Sequence, residues 1–199
     1  MNVHGLFPTP VAVFELGREL SEFESDLLLN QPDRANTGNT TSLNNKILDS
    51  LSDIKEFCQN SIDKYFSFVQ NPKNDVGLKI SQSWVNYTKP GQFHHKHSHP
   101  NSLISGVFYV KAKEDSDRIY FYKDEYKQIK FTPKDWSIWN SDSWWLTVKT
   151  GQLIIFPSSL THMVDTVKGE DTRVSLSFNT FPIGHIGEDA ELTGLILKV

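Results

Sequence analysis

The chain has 199 residues, 38% hydrophobic and 22% charged, too apolar for disorder and too evenly mixed for a fibrous protein, and its length suits one domain. Twenty lysines and arginines against 24 aspartates and glutamates give a net charge of -4, which argues against a nucleic-acid partner. The single cysteine, Cys58, excludes an internal disulfide and a thiolate zinc site, and the short apolar stretches and the start Met1-Asn2-Val3-His4 predict neither a membrane span nor a signal peptide.

In chain order, the apolar residues Val11 and Val13 after Pro8 and Pro10 predict a short edge strand within 6–16. Leu16, Leu20, Phe23 and Leu27 recur at helical spacing, and that helix stops before Pro32. Residues 31–41 are polar and aperiodic and read as an exposed, mobile loop. Ser42 is placed to cap a long helix in which Leu43, Ile47, Leu51, Ile54, Cys58, Ile62, Tyr65 and Val69 form one apolar stripe, with Cys58 a buried thiol. After Asn71-Pro72 the pattern turns to strands, predicted at 77–87, 103–111, 118–122, 136–139, 144–148, 152–156 and 173–181. Two helices before an all-strand body predict a mainly β protein, a double-sheet jelly roll with the helices packed outside one sheet. Residues 1–72 would supply the first strand and the helices, 73–182 the jelly-roll core and 183–199 a tail, which docks on the body or on a second copy in a homodimer.

Histidines cluster. His94, His95, His97 and His99 lie within six residues, and His162 follows His99 by 63. On an extended segment His95, His97 and His99 share one face and His94 points elsewhere. Two imidazoles spaced by two on one strand can bind one ion, although a bare His-rich hexapeptide is as often an exposed loop. The cluster opens the strand 103–111 and His162 ends the strand 152–156 with its turn, so folding a jelly roll can bring them together at the barrel mouth.

In Arg173-Val174-Ser175-Leu176-Ser177-Phe178-Asn179, alternation puts Arg173, Ser175 and Ser177 on one face and Val174, Leu176 and Phe178 on the other. An inward arginine is costly unless it pairs with a carboxylate, and a guanidinium beside a hydroxyl suits that of a small acid.

The ordered set Trp84-Val85-Asn86-Tyr87, Gly91-Gln92-Phe93, His97-Ser98-His99-Pro100, Ser105-Gly106-Val107-Phe108-Tyr109, Phe156-Pro157, His162 and Arg173-Val174-Ser175, with Leu6-Phe7-Pro8-Thr9-Pro10 at the start, resembles the 2-oxoglutarate- and iron(II)-dependent oxygenases of phages and bacteria, and more distantly the prolyl 4-hydroxylases. The resemblance implies a cupin-like double-stranded β-helix, with iron(II) held by His97, His99 and His162 and the far carboxylate of 2-oxoglutarate held by Arg173 with Ser175. It implies oxidative decarboxylation of 2-oxoglutarate to succinate with O2 as oxidant, ascorbate as a supportive reductant, and hydroxylation of a small molecule or protein side chain. The compartment is then the cytoplasm, that of the host for a phage protein. One departure is that His99 stands where the wider superfamily has a carboxylate; three imidazoles still leave three positions on an octahedral ion. His95 with His97 is the alternative pair. Other readings are a non-catalytic jelly-roll binding module with a structural or degenerate metal site, and a three-histidine dioxygenase that uses no keto acid.

Weaker candidates are Asn86, Tyr87, Ser105 and above all Tyr109 as hydrogen-bonding partners of the keto acid. Trp136, Trp139, Trp144 and Trp145 read as core packing around a hairpin, and Asp165 as an acceptor for an imidazole N–H.

Overall fold

The computed structural model describes residues 1–124, 129 and 131–198. Strand β1 (Ala12–Glu15) leads to α1 (Glu22–Leu29), the short strands β2 (Asp33–Ala35) and β3 (Thr40–Ser42), a 3-10 turn (Ile47–Ser50) and α2 (Ser52–Gln70). Strands β4 (Val76–Thr88), β5 (His94–His97), β6 (Ile104–Lys111), β7 (Arg118–Tyr122), β8 (Ser143–Thr147), β9 (Gln152–Pro157), β10 (His162–Val164) and β11 (Arg173–Ile186) follow, then β12 (Leu195–Leu197). The larger sheet runs β1-β9-β6-β11-β4-β3-β2, with β12 also paired to β11, and the smaller runs β5-β10-β7-β8. The eight strands β4 to β11 thus wind between two facing antiparallel sheets, a double-stranded β-helix of the jelly-roll, cupin-like class.

Alternation assigns the two faces of the larger sheet. Phe108, Leu153, Ile155, Val174, Leu176 and Phe178 point outward into one core with Leu28, Leu51, Ile54, Cys58 and Ile62 from the helices. Val107, Tyr109, Ile154 and Phe156 point inward and meet Ile119 and Val148 between the sheets. Gly106 is required where β6 passes β11, because a Cβ there would run into the Phe178 ring. Helix α1 starts on a capping box: Ser21 accepts the Glu24 N–H and Glu24 the Ser21 N–H. Arg18 grips the same carboxylate at 2.6 and 2.7 Å and, as the main cause, pulls its pKa down to about 2.

Several expectations from sequence are corrected. Residues 31–41 are not a free loop. They build the β2–β3 hairpin, and β3 adds to the larger sheet beside β4. Ser42 does not cap a helix; it lies in β3, where its Oγ accepts the Val85 N–H, and α2 begins ten residues later at Ser52. The stretch 136–139 is no strand, because the turn is closed by the Ser137 N–H on Asn140 Oδ1 and by the Asn140 amide on the Asp135 carbonyl. Trp136 and Trp139 are 59% and 58% exposed, so they are not core. Trp144 and Trp145 lie on β8 opposite Phe121 and Tyr120, and Trp145 is exposed too. The histidine cluster and His162 do not extend their neighbouring strands: His94, His95 and His97 lie in β5 and His162 in β10, paired with each other in the smaller sheet, and His99 follows β5. The tail docks on the body through β12, with Leu195–Leu197 opposite Ile186, His185 and Gly184.

Candidate metal centre

Pairing β5 with β10 sets His97 directly opposite His162, and the chain leaving β5 delivers His99, whose N–H bonds the Ser158 carbonyl. One ligand atom from each of His97, His99 and His162 falls within 4.8 Å of the others. The register between β5 and β10 is irregular. Between the pairs Val164–His94 and His162–His97 there is one residue on β10 and two on β5. This bulge reverses the alternation, so His94 does not point away but stacks on His97, centroids 4.7 Å apart.

Each imidazole of the inner set is tied at Nδ1. That N–H of His97 donates to the His95 carbonyl (2.7 Å), that of His162 to the Leu160 carbonyl (3.0 Å) and that of His99 to Asn179 Oδ1 (2.7 Å). Ser105 donates to the same Asn179 oxygen, which fixes it as the acceptor. With the proton on Nδ1, each Nε2 carries a bare lone pair. Burial, reinforced by neighbouring imidazoles, lowers the His99 pKa to about 4 and that of His162 to about 3, and burial also lowers that of His97. All three are neutral at pH 7, the form that ligates a metal.

The Nε2 atoms of His99 and His162 face each other at 3.3 Å. Two acceptors at that separation repel unless a cation lies between them. Imidazole nitrogens about 2.0–2.1 Å from one ion at octahedral to tetrahedral angles stand about 2.9–3.4 Å apart, so the donor set fits a transition ion. Trp84 stacks on His99 and Phe156 packs edge-on against His162, screening this side from water.

The second predicted feature lies deeper. Arg173 is buried, and among the described residues no carboxylate lies within ion-pair distance of it. Its Nε, the Tyr109 hydroxyl and Asn86 Oδ1 are buried without a hydrogen-bond partner. Burial lowers the Arg173 pKa and raises that of Tyr109. Tyr109 sits opposite Ser175, and Asn86 donates to Ser177. Tyr109, Ser175 and Ser177 line a cavity of ≈ 690 Å³ together with His97, His99 and His162; Arg173 lies behind this wall, lining a smaller recess beside Asp117. A cluster of buried donors and acceptors lacking partners fits a small polar ligand, since such groups are costly when left unpaired.

Other candidates divide. Tyr87 leaves the site: its hydroxyl donates to the Leu28 carbonyl on the helix side. Ser105 supports Asn179. Asp165 is exposed and accepts the Thr166 N–H, so it orients no imidazole. Asn179 does so for His99. Its signal in the sequence is its place on the Arg173, Ser175, Ser177 face.

Fold and side chains together define a double-stranded β-helix with a metal-competent, histidine-lined mouth. Residues 82–179, which hold the five clustered histidines, Arg173 and Asn179, match the model of the family described as "Putative 2OG-Fe(II) oxygenase", a little under half of the chain. No curated protein matches the sequence. Among solved structures, the chain is similar to an oxidoreductase of the 2OG-Fe(II) oxygenase family from Burkholderia pseudomallei (12% identity, TM-score 0.59, covering 85% of this chain and 83% of that one). It is similar to the non-heme α-ketoglutarate-dependent carbocyclase SnoK of nogalamycin biosynthesis (10%, 0.57, 86% and 79%). It is also similar to HygX from Streptomyces hygroscopicus, solved with nickel and 2-oxoglutarate bound (9%, 0.55, 86% and 82%). At these identities the likeness is one of fold.

Proposed function

We propose that the protein is an iron(II)- and 2-oxoglutarate-dependent dioxygenase that hydroxylates a polar small molecule or protein side chain. The observation that supports this most is the buried Arg173, which has no carboxylate of the described residues within ion-pair distance and lies behind the wall of Tyr109 and the site's serines, near the partnerless Tyr109 hydroxyl. Iron bound here would supply the redox chemistry in which 2-oxoglutarate, O2 and a substrate C–H yield succinate, carbon dioxide and an alcohol.

The Nε2 atoms of His97, His99 and His162 would hold the ion, and the carbonyls of His95 and Leu160 with Asn179 keep the three rings in the ligating tautomer. Arg173, with Ser175 and Tyr109, would neutralise and orient the distal carboxylate of the keto acid. The apolar side chains Val107, Ile119 and Phe156 keep water from the inner end. The mouth presents Arg34, Asn36, Asn45, Gln82 and Asn101, and no aspartate or glutamate among the described residues lines it. Such a rim favours neutral hydrogen-bonding or anionic substrates over cationic ones.

Purified protein with iron(II), O2 and ascorbate should convert 2-oxoglutarate to succinate, and His162→Ala and Arg173→Met should each remove that conversion. Absence of succinate across a substrate screen overturns the reading. Oxygen consumption that needs iron but is indifferent to 2-oxoglutarate and to Arg173→Met would instead identify the three-histidine dioxygenase that dispenses with a keto acid. Bound metal without any turnover would identify the binding module.

A further inference from the structure

The inner set uses only three of the five clustered histidines. His94 and His95 are left over, yet with His97 they form a second group whose ligand atoms all lie within 4.8 Å of one another. Ring centroids are 5.3 Å apart for His94–His95 and 4.7 Å for both His94–His97 and His95–His97. The bulge in β5 makes this possible by turning His94 to the side that His97 faces.

The group is supported from behind. The Nδ1 of His95 reaches the Thr37 carbonyl at 3.3 Å, which leaves its Nε2 free, and Asn36 approaches His94 Nε2 at 3.5 Å. Both residues belong to the tip of the β2–β3 hairpin. That tip is seated by the Phe93 N–H on the Gly38 carbonyl, and Gly38, with φ +87°, leaves no room for a Cβ against the Phe93 backbone and ring. All three rings are half-buried, whereas His162 is buried, so this set lies nearer solvent than the far end of the inner one. Imidazoles without a carboxylate suit divalent first-row ions, and a set of neutral ligands binds them more weakly than one carrying charge.

We propose that His94, His95 and His97 form an outer transition-metal site that captures a divalent first-row ion and passes it to the inner set through His97, the one ligand the two sets share. The hand-off rests on the reading of His97, His99 and His162 as the resident set. His97 has a single free nitrogen, its Nδ1–H being held by the His95 carbonyl. It therefore serves one ion at a time. The outer ion moves on when Nε2 of His99 and His162 replace His94 and His95, and centroid spacings of 4.4 and 5.0 Å from His97 to His162 and His99 keep that exchange short.

The test is cobalt(II) binding to the metal-free full-length protein, followed by its visible ligand-field absorption and by stopped-flow loading. His99→Ala/His162→Ala, which lacks the inner set, should still bind one cobalt(II), and adding His94→Ala/His95→Ala should remove it. His94→Ala/His95→Ala alone should bind one cobalt(II) with unchanged affinity, but load it several-fold more slowly. Because a hand-off site alters the path and not the end states, release to a chelator should slow by the same factor. His94→Gln/His95→Gln repeats the measurement with side chains that keep hydrogen bonding should the alanine pair unfold. If the protein without the inner set binds no cobalt(II), while the protein without the outer pair loads and releases as wild type, the outer site is wrong and the proposed function stands. If His94→Ala/His95→Ala binds none, the resident set is wrong, and with it the hand-off. If unsubstituted protein binds none, both fall.

Discussion

Along β11, Val174, Leu176 and Phe178 face the helices while Arg173, Ser175, Ser177 and Asn179 face the barrel, and all seven are buried. Burial on the helix side removes apolar surface from water and contributes about 1.5–3 kcal/mol for each large side chain. Burial on the barrel side leaves a guanidinium nitrogen without an acceptor and brings it close to a tyrosine hydroxyl in the same state. One face of the strand is complete as folded. In the proposed function a ligand completes the other, and the same strand that holds the fold together would then hold the chemistry in place.

Substitutions on the two faces should therefore have opposite signatures. The largest loss of stability is expected from Phe178→Ala, which empties the space between Gly106 and the helices; unfolding in denaturant should show it about 3–5 kcal/mol less stable. Arg173→Met should leave unfolding of the ligand-free protein unchanged or make it harder, because an unpaired buried charge is removed. The same variant should weaken 2-oxoglutarate binding by about 2–4 kcal/mol, as titration calorimetry would read. A loss of ligand-free stability comparable to that of Phe178→Ala would mean that Arg173 is a structural residue. Asn179→Ala frees the His99 ring and should cost about 10–100-fold in iron affinity with little change in unfolding. The smallest effect concerns α1. Glu24→Gln should cost about 1 kcal/mol at neutral pH, because Arg18 holds the Glu24 pKa at about 2, below the ordinary value of 4.5. A depressed pKa stabilises above the unfolded value, so the gap between wild type and variant should close as pH falls from about 4.5 towards 2.

What could be read from sequence follows the same division. The register of β11 with β4 is unbroken over Arg173 to Asn179, so both faces of the strand, and with them the inward arginine, were legible. The histidines announced themselves by density, but not their arrangement, because a bulge shifts the period of two and no residue type marks it. The β2–β3 hairpin was hidden for another reason. Its strands have three residues each, and its pairing partner β4 is supplied by tertiary contact with no apolar pattern of its own. Asn179 lay on a legible face, yet its bond to His99 spans 80 residues, whereas Asp165, only three from His162, proved to face solvent.

The central claim is that the polar face of β11 and the three converging imidazoles form one ligand site. Anaerobic titration of 2-oxoglutarate into the iron(II)-loaded protein tests it most directly. One equivalent should bind, and His162→Ala and Arg173→Met should each abolish or strongly weaken the binding. Iron-loaded protein that takes up no 2-oxoglutarate, or that binds it equally well after Arg173→Met, would contradict the account.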